Sequence, residues 1–184
     1  MLEIKFLKNI FTIIKNNEIL NKASYALFFK IIGSLLGYFF LILVTRKFGA
    51  EAWGIFALCL AILNIISIFC RMGIDVAILK FISSYKDKIV LAKAIYKKGL
   101  TIVFPLSIFF SFFLFFISDF IALYIFQKEH LTNFIQLISL AVIPFTLIYL
   151  NSQSFRGLKK ISKFAFFQHV AKFLFAIIFF LLIV

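Results

Sequence analysis

Five apolar stretches, separated by basic residues and each long enough to be buried across a bilayer, dominate this sequence and leave it one kind of solvent. They run over about residues 24–45, 53–70, 99–125, 134–150 and 164–184. A helix needs roughly 20 apolar residues to cross a hydrocarbon core about 30 Å thick, so the second stretch is near the short end. Backbone amides cannot be left unpaired in hydrocarbon, and segments of this length and pattern satisfy them as helices. Composition agrees: 64% of 184 residues are hydrophobic and 29 are Phe, with a mean hydropathy of +1.12. A globule this small cannot hide that much apolar side chain. The sequence therefore specifies an all-α polytopic membrane protein with about five transmembrane helices. A soluble enzyme, a secreted disulfide scaffold and a disordered tail are excluded.

The formal charge of +13 would suggest nucleic acid in a soluble chain, but here the basic residues sit in blocks between apolar stretches. No nucleic-acid partner is expected, and the lipid bilayer is. With the amino terminus in the cytoplasm, fifteen Lys and Arg fall in inside segments and three, Arg46, Lys47 and Lys128, fall outside. That asymmetry predicts a multi-pass protein with a cytoplasmic N-terminus. Residues 1–23 read as an amphipathic helix on the cytoplasmic leaflet, since Leu7, Ile10, Phe11 and Ile14 keep helical spacing among lysines. The lysines also interrupt any signal-peptide core. Residues 24–184 form the transmembrane bundle.

Several residues stand out within the spans. Lys30, Gly33, Ser34 and Gly37 share one face of the first. The Gly33–Gly37 spacing admits close helix approach, while Lys30 either snorkels to the leaflet or lines a hydrated cavity. Gln168, His169 and Lys172 place polar groups in the fifth span, where they serve as a polar lumen or as structural contacts. One histidine without a second ligand does not make a metal site. Pro105 and Pro144 predict kinks in the third and fourth spans. Arg71 and Asp75 have the i, i+4 spacing of an intrahelical pair at the end of the second span. The stretch 72–85 reads as a cytoplasmic extension of that span or an interfacial turn. Asp119 either binds a coupling cation or caps a solvated helix end. Cys59 and Cys70 are too far apart on one helix to pair and read as packing residues. No phosphate loop, dinucleotide fingerprint, metal-binding HExxH or nucleophile elbow is present. No catalytic residue, metal or cofactor is expected.

The order of features resembles the polysaccharide biosynthesis family of membrane proteins, the lipid-linked oligosaccharide flippases of the Wzx type. Its superfamily includes multidrug and toxin extrusion transporters and the lipid II flippase. The resemblance rests on Gly49 and Gly54 in the first outer loop, Met72-Gly73-Ile74 after the second span, and Arg156-Gly157 after the fourth, and it covers about Ile19 to the end. It implies flipping of an undecaprenyl-pyrophosphate-linked glycan across the bacterial cytoplasmic (inner) membrane by alternating access. It also implies Lys30, Arg71, His169 and Lys172 as the cationic and polar groups of the cavity. Family members have twelve to fourteen spans in two lobes, so five spans read as an incomplete N-terminal lobe. That makes the chain a fragment or truncated product of a longer transporter, partnered by other polysaccharide-assembly membrane proteins or a second lobe. Two other functions stay open. One is a cation-coupled small-molecule exporter of the same superfamily, against which the in-membrane lysines weigh. The other is a non-transporting membrane scaffold.

Overall fold

The computed structural model describes residues 18–85, 88–171, 173, 174, 176 and 177. Most of the expected amphipathic segment 1–23 lies outside the described residues, as do Lys172 and the end of the fifth stretch. The described residues form helices joined by short turns, without strands. Helix α1 spans Glu18–Arg71, α2 Ile74–Ser84, α3 Ile89–Phe120, α4 Leu131–Gly157 and α5 Ile161–Ala165. Helix α3 is continued by a π-helical turn over Ile121–Ile125, and α5 by another over Phe166–Ala171. Among the described residues, three helical stretches are long and apolar enough to cross a membrane: Ala23–Arg71, Ile89–Ile125 and Leu131–Gly157. This is an all-α, multi-pass membrane protein.

Helix α1 is two limbs, 18–48 and 50–71, because Gly49 takes φ 85° and ψ 171°, a conformation open to glycine and costly for any residue with a Cβ. The chain folds back there. The ring of Phe40 packs at 5.5 Å from Phe56 and 6.5 Å from Trp53, although a straight helix would hold Phe40 and Phe56 about 24 Å apart. Where the sequence suggested a loop around Thr45–Gly54, the departure from helix is confined to Gly49. Gly54 is an ordinary helical residue of the second limb.

The stretch after Arg71 is neither an extension of the second limb nor a bare turn. Met72 and Gly73 both adopt positive φ, 43° and 78°, which ends one helix and starts α2 in a new direction. Helix α2 then lies as a wedge against α3 and α4, with Ile78 and Ile82 buried. Two glycines make room for it: a Cβ on Gly99 would overlap the end of Ile78, and one on Gly157 would press on Ile82 at 3.0 Å. Helix α3 begins at Ile89, ahead of the apolar stretch, since residues 89–98 contain good helix formers and no breaker.

The interior is small and partly polar while the exterior is large and apolar. Ser67, Ser107, Ser111, Ser118, Ser139, Thr146 and Ser152 are buried, whereas Phe109, Phe112 and Phe116 project outward. Facing lipid, apolar side chains gain little by moving inward, so helices associate through close contact of small residues and through hydrogen bonds. One such bond crosses between helices: Ser111 Oγ donates to the Ser139 carbonyl at 2.7 Å. Ser107, Ser118, Ser139 and Ser152 instead turn back on their own helices, to Phe104 O, Phe115 O, Gln136 O and Ile148 O, which keeps each satisfied without water. Helices α3 and α4 both run through their prolines, Pro105 and Pro144, as continuous elements.

Candidate functional site

The polar groups of the bundle gather where the second limb of α1 meets α2 and α4. Arg71 is the hub. Its Nη1 donates to Asp75 Oδ2 at 2.9 Å and its Nε to the Ser67 carbonyl at 3.0 Å. Its guanidinium lies 4.5 Å from the centre of the Tyr149 ring. The side chains of Arg71 and Asp75 are only 11% and 14% exposed, so the pair is largely withdrawn from solvent and each charge depends on the other. The i, i+4 spacing suggested a pair within one helix. Because the chain turns at Met72–Gly73, the pair instead clasps α1 to α2 across the break, and the stacking on Tyr149 ties in α4.

Around this hub run weaker contacts of the same kind. The Tyr149 hydroxyl points at Asn64 Oδ1 at 3.4 Å, and Asn64 Nδ2 donates to Leu60 O at 2.8 Å. Deeper in the seam, Thr146 Oγ1 lies 3.4 Å from Ser67 Oγ. Tyr149 also lines, with Ser152, Phe167 and Gln168, a void of about 10 Å³, close to the least that holds one water molecule. Gln168 Oε1 is buried without a hydrogen-bond partner, so a water in that void would satisfy it.

The remaining sequence candidates divide by location. Gly33 sits against the π-helical turn of the fifth segment, where a Cβ would overlap the His169 carbonyl, and a Cβ on Gly37 would come within 3.0 Å of the Phe173 ring. His169 is therefore half-buried beside the first limb of α1. Lys30, one turn before Gly33, is exposed; its carbonyl accepts a hydrogen bond from Ser34 Oγ at 3.0 Å. The structure brings Gly33 to His169 and Arg71 to Asp75 and Tyr149. Lys172 lies outside the described residues. Pro105 and Pro144 are on exposed faces. Gly49 and Gly73 serve turns, Gly157 serves packing, and the guanidinium of Arg156 lies 5.4 Å from the Phe164 ring.

Tyr149, Asn64 and Gly99 had gone unremarked in the sequence. Tyr149 and Asn64 stand on different helices, and only the packing of α4 on α1 joins them to Arg71. Gly99 carried a signal, a glycine opening an apolar stretch, but its partner Ile78 lies in the stretch that the sequence pattern gave to an extension of the second span or an interfacial turn. Among the described residues no three His, Cys, Asp or Glu side chains cluster as metal ligands. What the hub offers chemically is hydrogen bonding and a paired cation.

A family model described as polysaccharide biosynthesis protein matches residues 19–184. The chain belongs to that family, whose members are transporter-like proteins rather than enzymes. No curated protein matches the sequence, and no solved structure matches the fold.

Proposed function

We propose that this chain serves the translocation of a lipid-linked oligosaccharide or polysaccharide repeat unit across the bacterial cytoplasmic membrane. The observation that carries this reading is the family match over residues 19–184 on a multi-pass helical bundle. Flipping needs no covalent chemistry. The lipid tail of an undecaprenyl-pyrophosphate carrier stays in the bilayer while the pyrophosphate and sugars cross a hydrated cleft, and fixed positive charge offsets the cost of moving the phosphates out of bulk water. Lys30, exposed on the first limb, and Lys172 are the cations assigned to that cleft, with His169 as a further polar group. Arg71, held by Asp75, contributes to it only when that pair opens. Alternating access then exposes the cleft first to the cytoplasm, on the side of the lysine-rich turns, and then to the outside.

The test is made in cells lacking the chromosomal copy of the gene. Reintroducing the coding sequence should restore surface glycan and clear the lipid-linked precursor from the cytoplasmic leaflet. Lys30→Ala and Lys172→Ala together should leave the protein in the membrane and the precursor on the inside. Normal surface glycan with both substitutions would remove these residues from the mechanism, and normal glycan in the deletion strain itself would remove the function. Orientation is read separately: a cysteine at Lys128 should label with a membrane-impermeant maleimide in intact spheroplasts, and one at Lys159 only after permeabilisation.

A further inference from the structure

We infer that the cleft at the Gly49 end of the bundle binds the headgroup of a phospholipid carrying a primary amine, of the phosphatidylethanolamine type. The cleft is a cavity of about 190 Å³ between the second limb of α1 and the α3–α4 turn. Glu51 and Lys128 are on its wall, and Ile55, Leu58, Phe126 and Leu131 supply an apolar lining. Glu51 and Lys128 are both exposed, and they make no ion pair with each other or with any other described residue. One cavity thus offers an acid and a base that do not satisfy one another.

Both charges stand on backbone that the fold holds in place. Glu51 opens the second limb, two residues past the Gly49 fold-back. Lys128 follows Gln127, whose φ is 53°, and its N–H donates to Ala122 O at 3.0 Å while its carbonyl accepts from the Leu131 N–H at 3.1 Å. The cavity is several times the roughly 30 Å³ share of one water molecule, enough for a small charged headgroup.

The ligand's chemistry follows from that lining. A zwitterion satisfies both walls at once, its ammonium on Glu51 and its anion on Lys128, through charge-assisted hydrogen bonds. A primary ammonium donates up to three hydrogen bonds to a carboxylate, and a trimethylated one donates none. An anionic headgroup without an amine leaves Glu51 opposed to it. The apolar lining suits the glycerol and first acyl carbons of a lipid better than it suits a fully soluble zwitterion. Beside the cavity, Tyr124 and Ile125 are 74% and 60% exposed, so it lies close to surface suited to acyl chains. The site stands independently of the transport reading.

The experiment uses the whole chain, purified and delipidated in detergent, with phosphatidylethanolamine, phosphatidylcholine and phosphatidylglycerol of matched acyl chains, followed by native mass spectrometry and thermal melting. The expected result is retention of phosphatidylethanolamine and a raised melting temperature, with each of the other lipids at least about tenfold weaker, a margin of roughly 1.4 kcal/mol. Glu51→Gln should erase the preference over phosphatidylcholine, and Lys128→Gln should weaken both lipids together. Since both side chains are exposed, these variants should fold, and unchanged helicity by circular dichroism checks it. Glycerophosphoethanolamine, which carries the headgroup without acyl chains, separates the sources; binding equal to the lipid's would overturn the lipid assignment in favour of a soluble zwitterion. Equal binding of the three lipids, or an intact preference in Glu51→Gln, would overturn the site.

Discussion

The seam between α3 and α4 and the seam between the first limb of α1 and the fifth segment both depend on small residues, with opposite results. In the first, Ser107, Ser111, Ser118 and Ser139 draw two long helices together, and the larger residues among them, Val103, Leu114, Ile135 and Val142, are wholly buried. The second limb of α1 and α2 then close over it. In the second, contact is made at Gly33 and Gly37, and among the large apolar residues whose burial is described in that limb, Phe40 and Val44 are buried while Tyr25, Phe28, Ile31, Leu35, Tyr38 and Phe39 are each more than half exposed. A seam enclosed on several sides spreads any insult through its neighbours. A seam made on one side yields locally.

That contrast can be broken most severely at Gly99. Gly99→Val drives a branched side chain into Ile78, between helices that cannot separate without exposing the buried serines, and should cost about 3 kcal/mol. The loss should appear as a collapsed yield of monodisperse protein on size exclusion; a normal yield and melting temperature would show that α2 is not wedged as described. Next in size is the clasp at the helix break. Arg71→Gln or Asp75→Asn leaves a partly buried charge alone and should cost about 2 kcal/mol. The double variant should be less destabilised than the two single losses added together, and strict additivity would mean the pair carries no coupling.

At the one-sided seam the effect should be smaller and confined. Gly33→Ala drives a methyl group into the His169 backbone, which must shift with its helix, and should cost about 1–2 kcal/mol. Cysteines at Phe29 and Phe166, whose rings lie 6.0 Å apart, should cross-link less efficiently in that background while the melting temperature falls by only a few degrees. An equal fall in melting temperature for Gly33→Ala and Gly99→Val would erase the distinction between the seams. Smallest of all, Phe116→Leu on a 78% exposed position should change stability by less than about 0.5 kcal/mol.

The class of fold was legible because hydrocarbon imposes a length and a composition on every crossing segment, and no distant contact alters that. Family membership was legible for a related reason. Gly49 and Gly73 sit at turns where positive φ limits the side chain, and Gly157 closes a helix end, so their order reads as a pattern. What lay beyond reach was everything decided between helices. Arg71 and Asp75 have the spacing of a helical pair, yet Met72 shows nothing in its side chain that announces a left-handed turn. Tyr149 joins the guanidinium across 78 positions of sequence. Lys30 interrupts its span visibly, but whether it faces lipid, water or a second lobe is set by what packs beside it, which no local pattern encodes.

The π-helical turn at Phe166–Ala171 has a consequence for how the fifth segment could change. Such a turn holds one residue more than an α-helix would over the same rise, and each residue advances a helix by about 100°. Excising Phe167 would therefore let the turn close into regular α-helix and leave Phe173 facing Gly37, whereas the same deletion in a plain α-helical stretch would rotate the face beyond it by more than a quarter turn. The turn thus acts as slack between the root of this helix and the face it presents to the first limb. A single codon lost there is absorbed without any substitution among the side chains that meet that limb.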